Sequence, residues 1–116
     1  MSYDTASKTD PESVVDEEWG GMWFLKDELE TDHLGFTVLE LEPGGKGMEH
    51  DEAESGQEEI YYVVEGEFEV ELRRDDGDET VTVEAEDAIR LDPDERRQIF
   101  NRGDERATMV LVGASI

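Results

Sequence analysis

Ile60-Tyr61-Tyr62-Val63-Val64-Glu65-Gly66-Glu67-Phe68-Glu69-Val70-Glu71-Leu72-Arg73 is the stretch on which the fold turns. Its first part is rich in β-branched and aromatic residues. After Gly66, which permits a tight turn, the chain alternates strictly: Phe68, Val70 and Leu72 point one way, Glu67, Glu69 and Glu71 the other. Period-two alternation of this kind marks a strand with one buried and one wet face. Asp75-Asp76-Gly77-Asp78 then reads as a hairpin turn, with glycine supplying a positive φ. Val81, Val83 and Ala85 resume the alternation.

Working outward, residues 34–41 read as a strand ended by Pro43-Gly44-Gly45, and 88–91, 98–101 and 106–112 supply further strands. No helix of useful length and no internal repeat is found. Short strands at even spacing predict an all-β sandwich or barrel.

The chain has 116 residues, which suits one domain. Its 34 acidic and 10 basic residues leave a net charge of −24, and the bases lean to arginine, seven Arg against three Lys. In dilute buffer such charges oppose compaction. At about 1 M salt the Debye length falls to about 3 Å and most of that cost disappears. The composition therefore predicts a protein of a salt-accumulating halophile, and it argues against a nucleic-acid partner, which needs a basic face. Cysteine is absent, so disulfides, thiolate nucleophiles and Cys-ligated metals are excluded. No basic-then-apolar leader and no long apolar run is present, which points to the cytoplasm and away from a membrane.

Residues 1–18 are polar and acidic and are expected to form a flexible arm, with 19–116 as the single folded domain. Trp19 to Leu25 carries two tryptophans around Gly20-Gly21 and is apolar from Met22 onward. It is expected to be a strand that either covers the domain or pairs with a second subunit as a homodimer.

Pro43-Gly44, His50, Glu59 and Gly66 resemble the first motif of the cupin family. In that family a Pro-Gly turn precedes a His-x-His pair by five residues, and a glutamate precedes a glycine by six. The stretch from Glu58 to Gly66 fits well. A weaker second motif runs from Asp87 through Asp92-Pro93-Asp94 to Asn101-Arg102-Gly103-Asp104-Glu105. The resemblance implies a closed antiparallel barrel (a double-stranded β-helix or jelly roll), often dimeric, across residues 34–113. It also implies a divalent metal held by three histidines and a glutamate. This chain has only His33 and His50.

Matching the motif forward from Gly44 gives His50 and Glu52; matching back from Glu59 gives Glu52 and Glu54. The forward match is preferred, because a loop absorbs extra length more readily than a strand. Where the family has its last histidine, this chain has Arg97 or, in the other register, Gln98. If Ile99 and Asn101 face inward then so does Arg97, and Phe100 faces out. The candidate metal set is thus His50, Glu52 and Glu59, with Arg97 in the fourth position. Arginine has no lone pair to offer. At about 5 Å and an effective dielectric of about 20 it repels a divalent ion by about 7 kcal/mol, less than two carboxylates attract it. A Mn, Fe or Zn ion is therefore not forbidden by charge, but a bidentate pair between Arg97 and a glutamate needs no metal at all.

Three functions follow in order of preference. The first is small-molecule binding without metal chemistry, through Arg97, Glu59 and Tyr61. The second is a metal-dependent oxygenase or sugar-type isomerase. The third is a structural or dimerisation module. Against them stand plainer readings: Tyr61 as core filling, Glu52 and Glu54 as solvated loop acids, and His33 and His50 as loop histidines.

Overall fold

The computed structural model describes residues 2–115. Eight strands form: β1 Gly20–Phe24, β2 Leu34–Leu41, β3 Glu58–Glu65, β4 Glu67–Leu72, β5 Glu79–Glu84, β6 Ala88–Leu91, β7 Arg97–Phe100 and β8 Ala107–Ala114. One helical turn, α1 at Lys26–Leu29, follows β1, and a 3₁₀ turn at Glu17–Trp19 precedes it. Among the described residues no helix is long and apolar enough to cross a membrane.

The strands pair antiparallel in two sheets, ordered β1-β2-β8-β3-β6 and β5-β4-β7. The closed barrel that the resemblance implies is realised as a two-sheet jelly roll, because the ladders do not run continuously from one sheet into the other. The reason lies in the segment after β2. Pro43, Gly44, Gly45 and Gly47 run beside β7 and bond to it singly, Gly44 N–H to the Asn101 carbonyl and Gly47 N–H to the Ile99 carbonyl, both at 2.8 Å. Isolated bridges at Lys46–Phe100 and His50–Arg97 replace a regular ladder. Proline and glycine weaken strand pairing, so the sheets are sewn together there rather than merged.

The alternation in β4 is realised: Phe68, Val70 and Leu72 are buried, and meet Tyr61, Val63, Leu39, Met109 and Leu111 from the larger sheet. Gly66, at φ 83°, makes the β3–β4 turn, and a Cβ there would stand 2.7 Å from that of Ala107. At the same end Asn101, 1% exposed, donates its amide to the Leu41 and Glu105 carbonyls at 2.8 and 2.9 Å and accepts from the Gly103 N–H. That one side chain ties the end of β2 to the β7–β8 loop.

Parity in β7 follows the expected pattern. Arg97, Ile99 and Asn101 are buried; Gln98 and Phe100 face out. The outward Phe100 is covered by charge. The Arg102 guanidinium lies 3.9 Å from its ring centroid and that of Arg73 lies 6.0 Å away, and Glu69 and Glu71 hold both arginines in place. Part of the N-terminal arm lies against the sheet. Val14 N–H bonds to the Met22 carbonyl at 2.9 Å. Lys8 pairs with Glu40 at 2.8 Å and sits 4.4 Å over the Trp23 ring.

Candidate functional site

The first of β7's inward side chains is the one that chemistry notices. Arg97 is 0% exposed, yet it carries a permanent charge. Its position is fixed by the bridge to His50, in which each backbone N–H donates to the other's carbonyl at 2.9 Å. The guanidinium then reaches into the space between the sheets. Its Nε donates to the Tyr61 hydroxyl at 3.2 Å, one terminal nitrogen donates to the Glu95 carbonyl at 2.8 Å, and the other bonds to Glu59 Oε1. Tyr61 in turn donates to the same carboxylate oxygen at 3.2 Å. Tyr61 and Glu59 sit two apart on β3 and so share its inner face.

His50 completes the cluster from outside. Its Nε2 is 3.7 Å from Glu59 Oε1, and its Nδ1 lies 3.2 Å from the Met48 carbonyl. That second contact makes Nδ1 the donor and turns Nε2 toward the carboxylate. Exposure grades outward: Arg97 0%, Glu59 13% and His50 36% by side chain. A solute arriving from water therefore meets His50 first, then an edge of Glu59, and never the guanidinium.

The electrostatics follow the contacts. Burial pushes the Glu59 carboxyl up, but His50 and Arg97 outweigh it and hold it below its ordinary 4.5. The Glu59 carboxylate raises the His50 imidazole above its ordinary 6.5, helped by the Met48 carbonyl and opposed by burial and by Arg97. Burial and the adjacent carboxylate push the Tyr61 phenol up, so it stays neutral.

Glu52 is not drawn into this group. Its N–H bonds to the Pro93 carbonyl at 2.7 Å, and its carboxylate takes a 3.4 Å hydrogen bond from Ser55 within the same loop. Glu54 is exposed on that loop, and so is His33 on the turn before β2. The expected trio of His50, Glu52 and Glu59 therefore does not assemble, and no three His, Asp or Glu side chains among the described residues make a metal-holding group. One imidazole and one carboxylate remain, and the carboxylate is already bound to a fixed cation. That donor set does not fit the family's metal.

Gly113 on β8 escapes a reading of motifs. A Cβ there would lie 3.2 Å from Gln57 Oε1 and 3.4 Å from Glu59 Oε2. Its missing side chain is the room in which Glu59 turns inward. The signal was present, because a glycine inside an apolar strand often marks a close approach.

Large side chains lie buried between the sheets. Arg97, Tyr61, Phe68, Leu39 and Leu41 are among those fully buried. Two open concavities, of about 450 and about 690 Å³, lie away from the cluster. The first is beside Gly66, Glu84 and Asp104, and the second is between the arm and β1 around Lys8 and Trp23.

A family model described as "Cupin domain" matches residues 37–113. The chain belongs to the cupin family. A search of curated protein sequences finds no match. Among solved structures, this cupin resembles an oxalate oxidase at 21% identity and a TM-score of 0.76, with 96% of this chain covering 59% of that one. It resembles a cupin protein from Bacteroides fragilis at 22% identity and a TM-score of 0.77, covering 99% and 86%. It also resembles the oxalate decarboxylase of Bacillus subtilis, a protein with Mn(II) centers, at 16% identity and a TM-score of 0.79, covering 93% and 29%. The chain thus spans about three-fifths of the oxalate oxidase and under a third of the decarboxylase. At these identities the likeness is one of fold.

Proposed function

We propose that this cupin binds a small polar molecule at the mouth formed by His50 and Glu59, without a resident metal. The observation that carries the reading is the position of Arg97, whose guanidinium satisfies Glu59 from within. With Glu59, Tyr61 and the Asp92 and Glu95 carbonyls as partners, Arg97 is a structural cation rather than a receptor for anions. The recognising groups are then the partly exposed imidazole, a donor and cation when protonated, and the outer edge of the Glu59 carboxylate, an acceptor. A ligand carrying both an acceptor and a hydroxyl or amine fits this pair. It docks at the mouth because His50 and the edge of Glu59 are the members of the cluster that solvent reaches. The acidic composition supports a working environment of concentrated salt in the cytoplasm.

Elemental analysis decides between this reading and a metal-dependent enzyme. The protein, equilibrated in high salt with Mn²⁺, Fe²⁺ or Zn²⁺ and then desalted, is expected to retain none in stoichiometric amount. Arg97→His, which removes the fixed charge and adds an imidazole, is expected to gain retention. Stoichiometric metal on the native protein would make the oxygenase or isomerase reading the leading one.

A further inference from the structure

Glu40 stands on the outer face of β2, because Leu39 and Leu41 on either side of it are buried. Register places Gly21 of β1 directly opposite. The Trp23 indole, two residues on and on the same face, lies back into the space that Gly21 leaves: a Cβ there would stand 2.1 Å from the ring. Ring and carboxylate are thereby brought together, on the opposite face of the larger sheet from Glu59. An ammonium already occupies this corner. Lys8 Nζ is 2.8 Å from Glu40 Oε2 and 4.4 Å from the Trp23 ring centroid, inside the roughly 6 Å over which a ring attracts a cation. Lys8 belongs to the arm, in a turn closed by the Asp10 N–H to the Ser7 carbonyl at 3.0 Å and by the Ser7 N–H to Asp10 Oδ2 at 2.8 Å. The arm is held again at Ser13 and Val14, which bond to the Met22 main chain. By side chain Glu40 is 14% exposed and Lys8 38%, so the ammonium is the outer member of the pair. Beside it opens the concavity of about 690 Å³.

We infer that the Trp23 ring and the Glu40 carboxylate form a binding site for an alkylated ammonium ion, and that Lys8 is its tethered occupant, displaced when the free ion binds. Charge selects a cation. The concavity is lined by Lys8 and Arg106 against Asp16, Glu17 and Glu40, and Arg106 is committed to Glu40 and Glu42. Lifting Lys8 out leaves the carboxylates in excess, so an anion is disfavoured. The aromatic wall then selects among cations. An indole face attracts an alkylated ammonium, whose methyl groups give up little water on contact, whereas K⁺ and Na⁺ keep their hydration shells. The tether sets the affinity. A short flexible tether presents Lys8 at an effective concentration on the order of millimolar, so a free ion must reach that range to compete, and removing Lys8 strengthens its binding.

The test is NMR of the full ¹⁵N-labelled chain while tetramethylammonium chloride replaces KCl at a constant total salt of about 2 M, which keeps the screening fixed. The Trp23 indole N–H is expected to shift saturably, and replacement of KCl by NaCl is expected to leave it in place. Lys8→Ala is expected to lower the half-saturating concentration at least about threefold, since the tethered competitor is gone. Trp23→Leu, followed through the Gly21 amide, is expected to lose the saturable shift. If Trp23→Leu fails to fold, Lys8→Ala decides alone, because Lys8 lies in the arm and outside the core. The inference is overturned by a half-saturating concentration that Lys8→Ala leaves unchanged, by a shift that never saturates in Lys8→Ala, by a saturable shift that survives in folded Trp23→Leu, or by an equal response to NaCl.

Discussion

Removing Glu59 should be far more costly than removing Glu59 together with Arg97. In Glu59→Ala the guanidinium stays fully buried with only Tyr61 and main-chain carbonyls as partners, so a charge loses its counter-ion where water cannot replace it. Breaking a buried pair from one side costs about 3–5 kcal/mol. For a domain of this size each kcal/mol lowers Tm by about 4 °C, so a fall of about 12–20 °C is expected. In Glu59→Leu/Arg97→Met both charges leave and apolar volume takes their place. Such paired replacements are often neutral or stabilising by about 1–4 kcal/mol. The coupling between the two sites should therefore amount to several kcal/mol, well beyond the roughly 0.5 kcal/mol within which independent sites add. Urea titration in constant high salt measures all three variants without changing ionic strength. A Glu59→Ala cost below about 1 kcal/mol, the level of an exposed ion pair, would refute the reasoning. So would a double variant whose cost equals the sum of the singles.

Other outcomes follow from the same geometry. The His50 imidazole should titrate above 6.5 by NMR and fall back toward that value in Glu59→Gln. Because its folded pKa is raised, the stability it contributes is present below its unfolded value and is lost as pH rises through the folded one. Glu59 has the opposite sign: its contribution is present above its unfolded value near 4.5 and is lost as pH falls through the lowered folded one. Tm should rise from dilute buffer to about 2 M KCl as the repulsion of the net charge is screened, and an unchanged Tm would count against a halophile origin. Gly66→Ala should lose at least about 1 kcal/mol, from the positive φ and the contact with Ala107 together, as read by thermal melts.

Much of this was legible in the chain because strand parity is local. Ile99 and Asn101 identify the inner face of β7, and Arg97 follows from them. What covers Phe100 was legible only in part: Arg102, two residues on, shares its side, whereas Arg73 reaches it from beyond the end of β4. The separation into two sheets likewise depends on where residues 43–52 run in space. Glu52 illustrates a third limit: a motif gives spacing, but hydrogen bonds within the loop decide where the carboxylate ends up.

A guanidinium beside Glu59 is a cation encoded by the gene rather than drawn from the surroundings. It cannot dissociate, be exchanged for a commoner ion, be removed by a chelator or change oxidation state. The charge that holds Glu59 thus arrives with the polypeptide at synthesis.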